Sequence, residues 1–393
     1  VTSVVVAGAG LGGLRVAESL RQAGYADAIT VVGDEPYLPY NRPPLSKEAL
    51  AGGIDIDALL FRRKSGVDDV EWRLGSGLAS ADLAGHEVTL LDGSVLGFDA
   101  LAIATGIRPR RLPIPGPTHG RTPLRTVADA LALREVLTPG VAVVIMGAGF
   151  IGCETAATAR KLGCDVHVVA SDPEPMLRPL GADLGAAMRR RHEANGVHFH
   201  LGHTIDSFHG DAQVESVALS DGTELPAAVV IEAVGSVANL GWLAGNGLDL
   251  SDGVLVDDAM QVDVPGVPVV AVGDVARHPN ALFGGTPRRI EHWNIPTETG
   301  RRAGRTLAAL LQGEEPDRSP FACMPSFWSD QYEYQLQSFG LPGIATEVEV
   351  VAGDVDGPCI VAYRDDSGLV GVVGIDRTAD LAPYRTELLA RAR

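Results

Sequence analysis

Apolar residues along this 393-residue chain gather in short uninterrupted runs, and two of those runs lead straight into glycine-rich turns. Val4, Val5, Val6 and Ala7 predict a strand, the glycines from Gly8 to Gly13 a turn, residues 14–23 a helix ending at Gly24, and residues 29–32 a second strand. The order returns later, with a strand at 141–146, a turn from Gly147 to Gly152, a helix at 153–162 ending at Gly163, and a strand at 166–169. Continuous apolar strands between helices predict parallel sheets covered on both faces, because neither side of such a strand meets water. Residues 100–104 give another strand, and the proline-rich stretch 108–117 reads as a crossover between domains. Residues 229–234 close the second unit, and 267–274 return the chain to the first. Beyond about Pro320 the pattern changes, and the segments 347–351, 359–363 and 369–374, separated by Gly and Asp turns, predict an antiparallel sheet.

Length then sets the scale at two or three domains. Hydrophobic residues make up 46 % of the chain, yet no apolar run reaches the roughly 18 residues needed to cross a bilayer, so a soluble cytoplasmic protein without a signal peptide is expected. The four cysteines, Cys153, Cys164, Cys323 and Cys359, form no close pair, and no Cys/His cluster has zinc spacing; structural thiols and no metal are expected. A formal charge of -18 argues against nucleic acid and anionic membranes as partners.

The glycine turns carry the chemistry. Gly8-Ala9-Gly10-Leu11-Gly12-Gly13 satisfies G-x-G-x-x-G between a strand and a helix, the context the pattern requires. Gly8 permits the tight turn, Gly10 lets backbone approach a pyrophosphate, and Gly13 lets helix and strand pack closely, while the helix N-terminus attracts the anion. Gly147-Ala148-Gly149-Phe150-Ile151-Gly152 repeats the arrangement. A single glycine turn could be purely structural; two in matching contexts predict two dinucleotides, and a resident flavin with a visiting nicotinamide makes a redox reaction natural. Asp34 and Glu35 follow the second strand of the first unit, where an acid accepts from a ribose 2′-hydroxyl, unless they are only a solvated loop pair. In the second unit that strand runs into Ala170-Ser171-Asp172, so the acid is absent or displaced to Asp172; with no arginine or lysine there for a 2′-phosphate, NADH is expected over NADPH.

Further motifs occur in order: Arg42-Pro43-Pro44-Leu45-Ser46-Lys47, Ala104-Thr105-Gly106, Glu154 after the second glycine turn, Val272-Gly273-Asp274-Val275, Glu291-His292-Trp293 and Phe327-Trp328-Ser329-Asp330-Gln331. With these, nearly the whole chain resembles the FAD-dependent ferredoxin reductases of bacterial cytochrome P450 and aromatic-ring dioxygenase systems. The resemblance implies an α/β fold with two Rossmann-like, glutathione-reductase-like domains and a C-terminal α+β domain. Residues 1–112 and 241–319 would bind FAD, 113–240 NAD, and 320–393 would form an interface domain beside the flavin. It implies that Lys47 lies near flavin N5 and pairs with Glu154, that Asp274 bonds the ribityl or phosphate region, and that Trp293 and Trp328 line the isoalloxazine; a surface lysine, a helix-face charge, an N-cap and plain core are the alternatives. Arg42 and Arg108 are candidates for FAD phosphate or ribose, with exposed turns before proline as the other reading. Gly235, Gly273, Glu291 and His292 join the cofactor set by the same resemblance.

The sequence departs from the family at Ala170 and in Asn294-Ile295-Pro296-Thr297, which replaces the usual amide-rich helix start. The implied activity is hydride transfer from NADH to FAD and single-electron delivery to a 2Fe–2S ferredoxin, by a monomer or weak homodimer. Arg288 with Arg289, Arg301 with Arg302 and Arg305, and Arg108 with Arg110 and Arg111 are candidate docking patches for an acidic partner, with a solvated face among acidic neighbours as the equal alternative for each. Competing readings are a disulfide reductase, which needs a reactive cysteine by the flavin, a quinone reductase, which needs an anchor that the arginine-rich C-terminus does not supply, and a flavin-holding redox switch.

Overall fold

In the computed structural model, which describes residues 2–64 and 66–391, the first unit is a parallel sheet in the order Val269–Ala271, Ala100–Ile103, Ser3–Ala7, Ala28–Val32, Glu71–Arg73. The second is parallel too, in the order Val197–Leu201, Asp165–Ala170, Ala142–Met146, Val229–Glu232, Arg121–Pro123. In each, the strand that leads into the glycine turn is central, with the next strand in sequence on one side and a later one on the other. A crevice opens at such a reversal, outside the carboxyl ends of the strands. Val4, Val5, Val6 and Val143, Val144, Ile145 are buried whichever way they point, which is why these strands read as unbroken apolar runs.

The helices begin earlier than the hydrophobic pattern predicts, at Leu11 and Phe150, because glycines that look like breakers sit inside the first turn. Their lack of a side chain is what lets the helix descend onto the turn: a Cβ on Gly13 would lie 2.0 Å from the Gly8 carbonyl oxygen, and one on Gly152 2.1 Å from that of Gly147. The helix Leu11–Gln22 packs along Ile295–Leu311 equally closely. A Cβ on Gly304 would come within 2.7 Å of the Val16 carbonyl, and Ser19 Oγ donates to the Arg301 carbonyl across the contact at 2.8 Å. Pro296 sits in the first turn of that second helix, where a missing N–H costs nothing.

The chain passes between the two units along Ile107–Pro109 and back along Ser236–Ala238, which pair as antiparallel strands. Its final part is an antiparallel sheet in the order Ser326–Gln331, Tyr334–Gly340, Gly368–Ile375, Cys359–Asp365, Glu347–Gly353, followed by the helix Ala382–Ala390. Its two faces serve different neighbours. Val361, Tyr363 and Val373 pack with Met176, Leu180 and Met188 of the second unit, whereas Ile360, Ala362 and Val372 belong to the core of the first. The first two strands of this sheet, and small three-stranded antiparallel sheets at Leu78–Gly97 and Ile205–Pro226, lie outside the segments the sequence pattern predicts. They are half exposed, so polar residues interrupt their apolar positions. Among the described residues no helix is long and apolar enough to cross a membrane.

Candidate functional site

Gly8 has φ +126°, and a Cβ there would lie 2.1 Å from the Ala104 carbonyl oxygen, so the segment Ala104-Thr105-Gly106 forms the floor of the first turn. Thr105 Oγ1 donates to the Asn239 carbonyl at 2.6 Å and the Asn239 N–H to the Gly106 carbonyl at 2.9 Å, tying that floor to the passage between units. Gly10 differs, because nothing lies within 4 Å of the Cβ it lacks. No side chain caps the helix that starts at Leu11, so its first N–H groups point over an open cradle. The second turn copies the first: Gly147 has φ +107° and abuts the Ala233 carbonyl, Gly149 faces open space, and the helix from Phe150 has no side-chain cap. A pair of cradles open only at the middle glycine is what two pyrophosphates require.

The flank of the first cradle is built from charge. Asp34 is exposed and makes no side-chain bond among the described residues, while Glu35 accepts from Tyr40 Oη at 2.5 Å and pairs with Arg42. Of the two acids, Glu35 is therefore the one held at the strand end. Arg42 also donates to the Arg125 carbonyl at 3.0 Å, which brings the two guanidinium groups together. Burial, and next the repulsion of Arg42, hold Arg125 below the usual arginine range. Asp274 faces Arg125 across a long 3.5 Å. Burial raises its carboxyl, with Arg125 pulling down and Glu291 pushing up. It does not cap a helix; Val272 holds the N-cap of the turn containing Gly273, whose φ is +68°. Two adjacent arginines beside an open helix N-terminus fit a diphosphate, and Asp274 retains acceptor capacity for a hydroxyl. Arg125 was absent from the residues expected here; its one sequence signal is its place just before the capping box of Thr126 and Asp129.

Where the first unit meets the helix that leaves the second cradle lies a nearly sealed ion pair. Lys47 Nζ is 2.8 Å from Glu154 Oε2, with side-chain exposures of 9 % and 4 %. Lys47 also donates to the Pro43 carbonyl at 3.2 Å. Ser46 Oγ donates to Glu154 Oε2 at 2.5 Å and Ser329 Oγ to Oε1 at 2.6 Å, so both carboxylate oxygens are engaged. Both serines lie inside the motifs that carry the family resemblance. Aromatic rings cluster on the same segments: Phe150, on the helix of Glu154, lies 4.9 Å from Phe327, which meets His292 edge-on at 5.1 Å, and Trp293 and Trp328 form a T-shaped pair at 5.3 Å. Trp293 is 39 % exposed and donates its indole N–H to Asn41 Oδ1. His292 Nδ1 is sealed without a partner, and burial lowers this imidazole to about 4, leaving it neutral at physiological pH.

Beside the second cradle, Ile151 is exposed, Gly235 has φ +91° and Asp172 is half buried beyond the end of the strand Asp165–Ala170. Glu291 accepts from Ser236 Oγ at 2.7 Å and pairs with Arg289, bracing the return passage. Arg108 lies on the outgoing strand and donates to Asn239 Oδ1 at 3.1 Å. Most of the proposed docking arginines are engaged: Arg302, 11 % exposed, pairs with Asp317, Arg289 with Asp252, Arg111 with Glu232, and Arg288 donates to backbone carbonyls. All four cysteines are free and buried, and burial raises each thiol, Cys323 to about 12, which keeps them out of thiolate chemistry.

Known proteins share this architecture. Residues 2–300 match the family described as pyridine nucleotide-disulphide oxidoreductase, and residues 326–393 the reductase C-terminal family. Rhodocoxin reductase of Rhodococcus erythropolis is 34 % identical, over 96 % of this chain and 87 % of that protein. The ferredoxin–NAD(+) reductase component of the p-cumate 2,3-dioxygenase system of Pseudomonas putida is 35 % identical, over 98 % of this chain and 92 % of that one. Among solved structures, the covalent putidaredoxin reductase–putidaredoxin complex superposes with a TM-score of 0.90 at 30 % identity, covering 99 % of this chain and 93 % of that one. These matches run along nearly the whole chain, and it belongs to the pyridine nucleotide-disulphide oxidoreductase family, among the ferredoxin reductases of dioxygenase and P450 systems.

Proposed function

We propose that this protein is an NADH-dependent ferredoxin reductase, with residues 1–112 and 241–319 as a discontinuous FAD domain, 113–240 as the NAD domain and 320–393 as the interface domain. The observation that carries the reading is the Lys47–Glu154 pair, which ties the first unit to the helix leaving the second of two open glycine cradles. FAD would be held by the turn Gly8 to Gly13, by Glu35 toward the ribose, by Arg42 and Arg125 toward the pyrophosphate and by Asp274 toward the ribityl chain. NADH would rest on Gly147 to Gly152, with Phe150, Gly235 and Asp172 around it. FAD bound there would take a hydride from NADH and pass its electrons on singly, which suits a one-electron iron–sulfur carrier.

The chain's own part is placement. Glu154 fixes Lys47, whose cation stabilises negative charge developing beside it, and a preorganised charge in a dry site acts more strongly than in water. Phe150, Phe327, Trp293 and Trp328 present flat apolar surface that excludes water from the reacting atoms. No protein nucleophile is required. The test is NADH-driven cytochrome c reduction with and without a 2Fe–2S ferredoxin of a P450 or dioxygenase system. Ferredoxin-dependent stimulation supports the reading; direct reduction of small acceptors with no response to any such ferredoxin rejects it.

A further inference from the structure

Glu154 is the end of a longer line of polar groups that runs away from the cradles through the protein interior. Ser329 Oγ, 2.6 Å from Glu154 Oε1, is 2.9 Å from Gln331 Nε2; Gln331 Oε1 is 2.7 Å from His192 Nε2; and His192 Nδ1 is 3.4 Å from Tyr332 Oη. Glu154, Ser329, Gln331 and His192 are all buried. They come from three elements, the helix after the second cradle, the helix Ala182–Ala194 and the strand Ser326–Gln331.

The direction of every bond in the line follows from its first member. As the partner of Lys47, Glu154 is a carboxylate and can only accept, so Ser329 spends its single proton on it. Toward Gln331 the serine oxygen can then only accept, which turns the amide NH2 toward Ser329 and the amide oxygen toward His192. His192 must therefore carry its proton on Nε2, leaving Nδ1 to accept from Tyr332. Burial lowers His192 to about 4, consistent with a neutral ring that donates at one nitrogen and accepts at the other.

We propose that Ser329, Gln331 and His192 are positioning residues, a one-way hydrogen-bond chain that holds Glu154 against Lys47 and locks the C-terminal sheet to the second unit at the reaction centre. The inference rests on the functional reading above for its kinetic consequence, whereas its structural consequence is readable without turnover. The experiment labels the histidines of the FAD-loaded protein with nitrogen-15, assigns His192 with His192→Asn, and reads its tautomer by NMR at about pH 7, alongside steady-state kinetics with NADH and ferricyanide. Wild-type His192 is expected to be protonated at Nε2 alone. Ser329→Ala leaves the amide NH2 only the weak contact to Met176 Sδ at 3.7 Å, so His192 becomes a mixture of tautomers, and kcat falls about tenfold with KM for NADH within about twofold, the loss of one hydrogen bond to a charged group. Ser329→Thr, which keeps the hydroxyl, restores both. Gln331→Leu cuts the next link and lowers kcat in the same way while Ser329 remains. An Nδ1-protonated His192 in the wild type, an unchanged tautomer in Ser329→Ala, or a Ser329→Thr protein as impaired as Ser329→Ala overturns the proposal. If the tautomers behave as expected but no NADH turnover occurs in any protein, the functional reading fails and the chain stands.

Discussion

Removing either partner of the Lys47–Glu154 pair strands a charge in a place that water scarcely reaches. The pair is separated by 2.8 Å and exposed by 9 % and 4 %, so Lys47→Met leaves a carboxylate supported only by Ser46 and Ser329, and Glu154→Gln leaves an ammonium with the Pro43 carbonyl. Breaking a buried pair one-sidedly costs about 3–5 kcal/mol, most of it the desolvation of the remaining charge, whereas removing both charges together is nearly neutral. Each single variant should therefore lose about 3 kcal/mol in urea unfolding of the interface that contains the pair, and the double variant Lys47→Met/Glu154→Gln should recover at least about 2 kcal/mol of the summed loss. Activity should behave differently. A cation worth about 3 kcal/mol to the reacting state is worth about a hundredfold in rate, and the double variant, which has no cation, should stay as slow as Lys47→Met. The assays are denaturant unfolding by flavin fluorescence and stopped-flow flavin reduction by NADH. Additive stabilities in the double variant would refute the energetic coupling, and recovery of the rate without Lys47 would refute its electrostatic role.

The glycine cradles predict a split. Gly10→Val should leave the apoprotein folded, since nothing lies within 4 Å of the Cβ it gains, but should abolish flavin retention on purification, whereas Gly8→Ala should lower the yield of folded protein because its Cβ meets the Ala104 carbonyl at 2.1 Å. Gly149→Val should keep the flavin and raise KM for NADH, which steady-state kinetics would read. Arg125→Gln should weaken FAD binding by about tenfold to a hundredfold, the value of a charge-assisted hydrogen bond, measured by titrating apoprotein with FAD. Buried neutral His192, lowered from 6.5 to about 4, makes stability fall as pH drops from about 6.5 toward 4, because the unfolded chain binds a proton the folded one refuses. His278 is lowered in the same direction by burial. Urea midpoints at pH 7 and pH 5.5 should differ in the wild type and differ less in His192→Gln; an equal difference would place the effect elsewhere.

Both parallel sheets could be read from the sequence because their central strands are buried on both faces and leave unbroken runs such as Val4 to Ala7 and Val143 to Met146. The glycine turns were legible for the same kind of reason, since Gly8 and Gly13 are demanded by backbone contacts that no other residue tolerates. What the sequence hid were contacts between residues far apart in the chain. Nothing local tells that Arg125 meets Arg42, or that Ser329 reaches Glu154, because these depend on how the units face one another. Nor does the sequence tell which arginines are already paired. Arg301-Arg302 looks like an exposed basic pair, yet Arg302 turns inward to Asp317 and lies over Phe321.

The central claim, that one cradle holds a flavin and the other admits NADH to reduce it, is tested most directly by anaerobic stopped-flow mixing of the purified protein with NADH and, in parallel, NADPH. The account predicts bleaching of the oxidised flavin absorbance within the turnover time with NADH, saturating with its concentration, and slower bleaching with NADPH because Ala170-Ser171-Asp172 offers no cation to meet a 2′-phosphate. A protein that retains no flavin, or a bound flavin that neither nucleotide reduces, would contradict it.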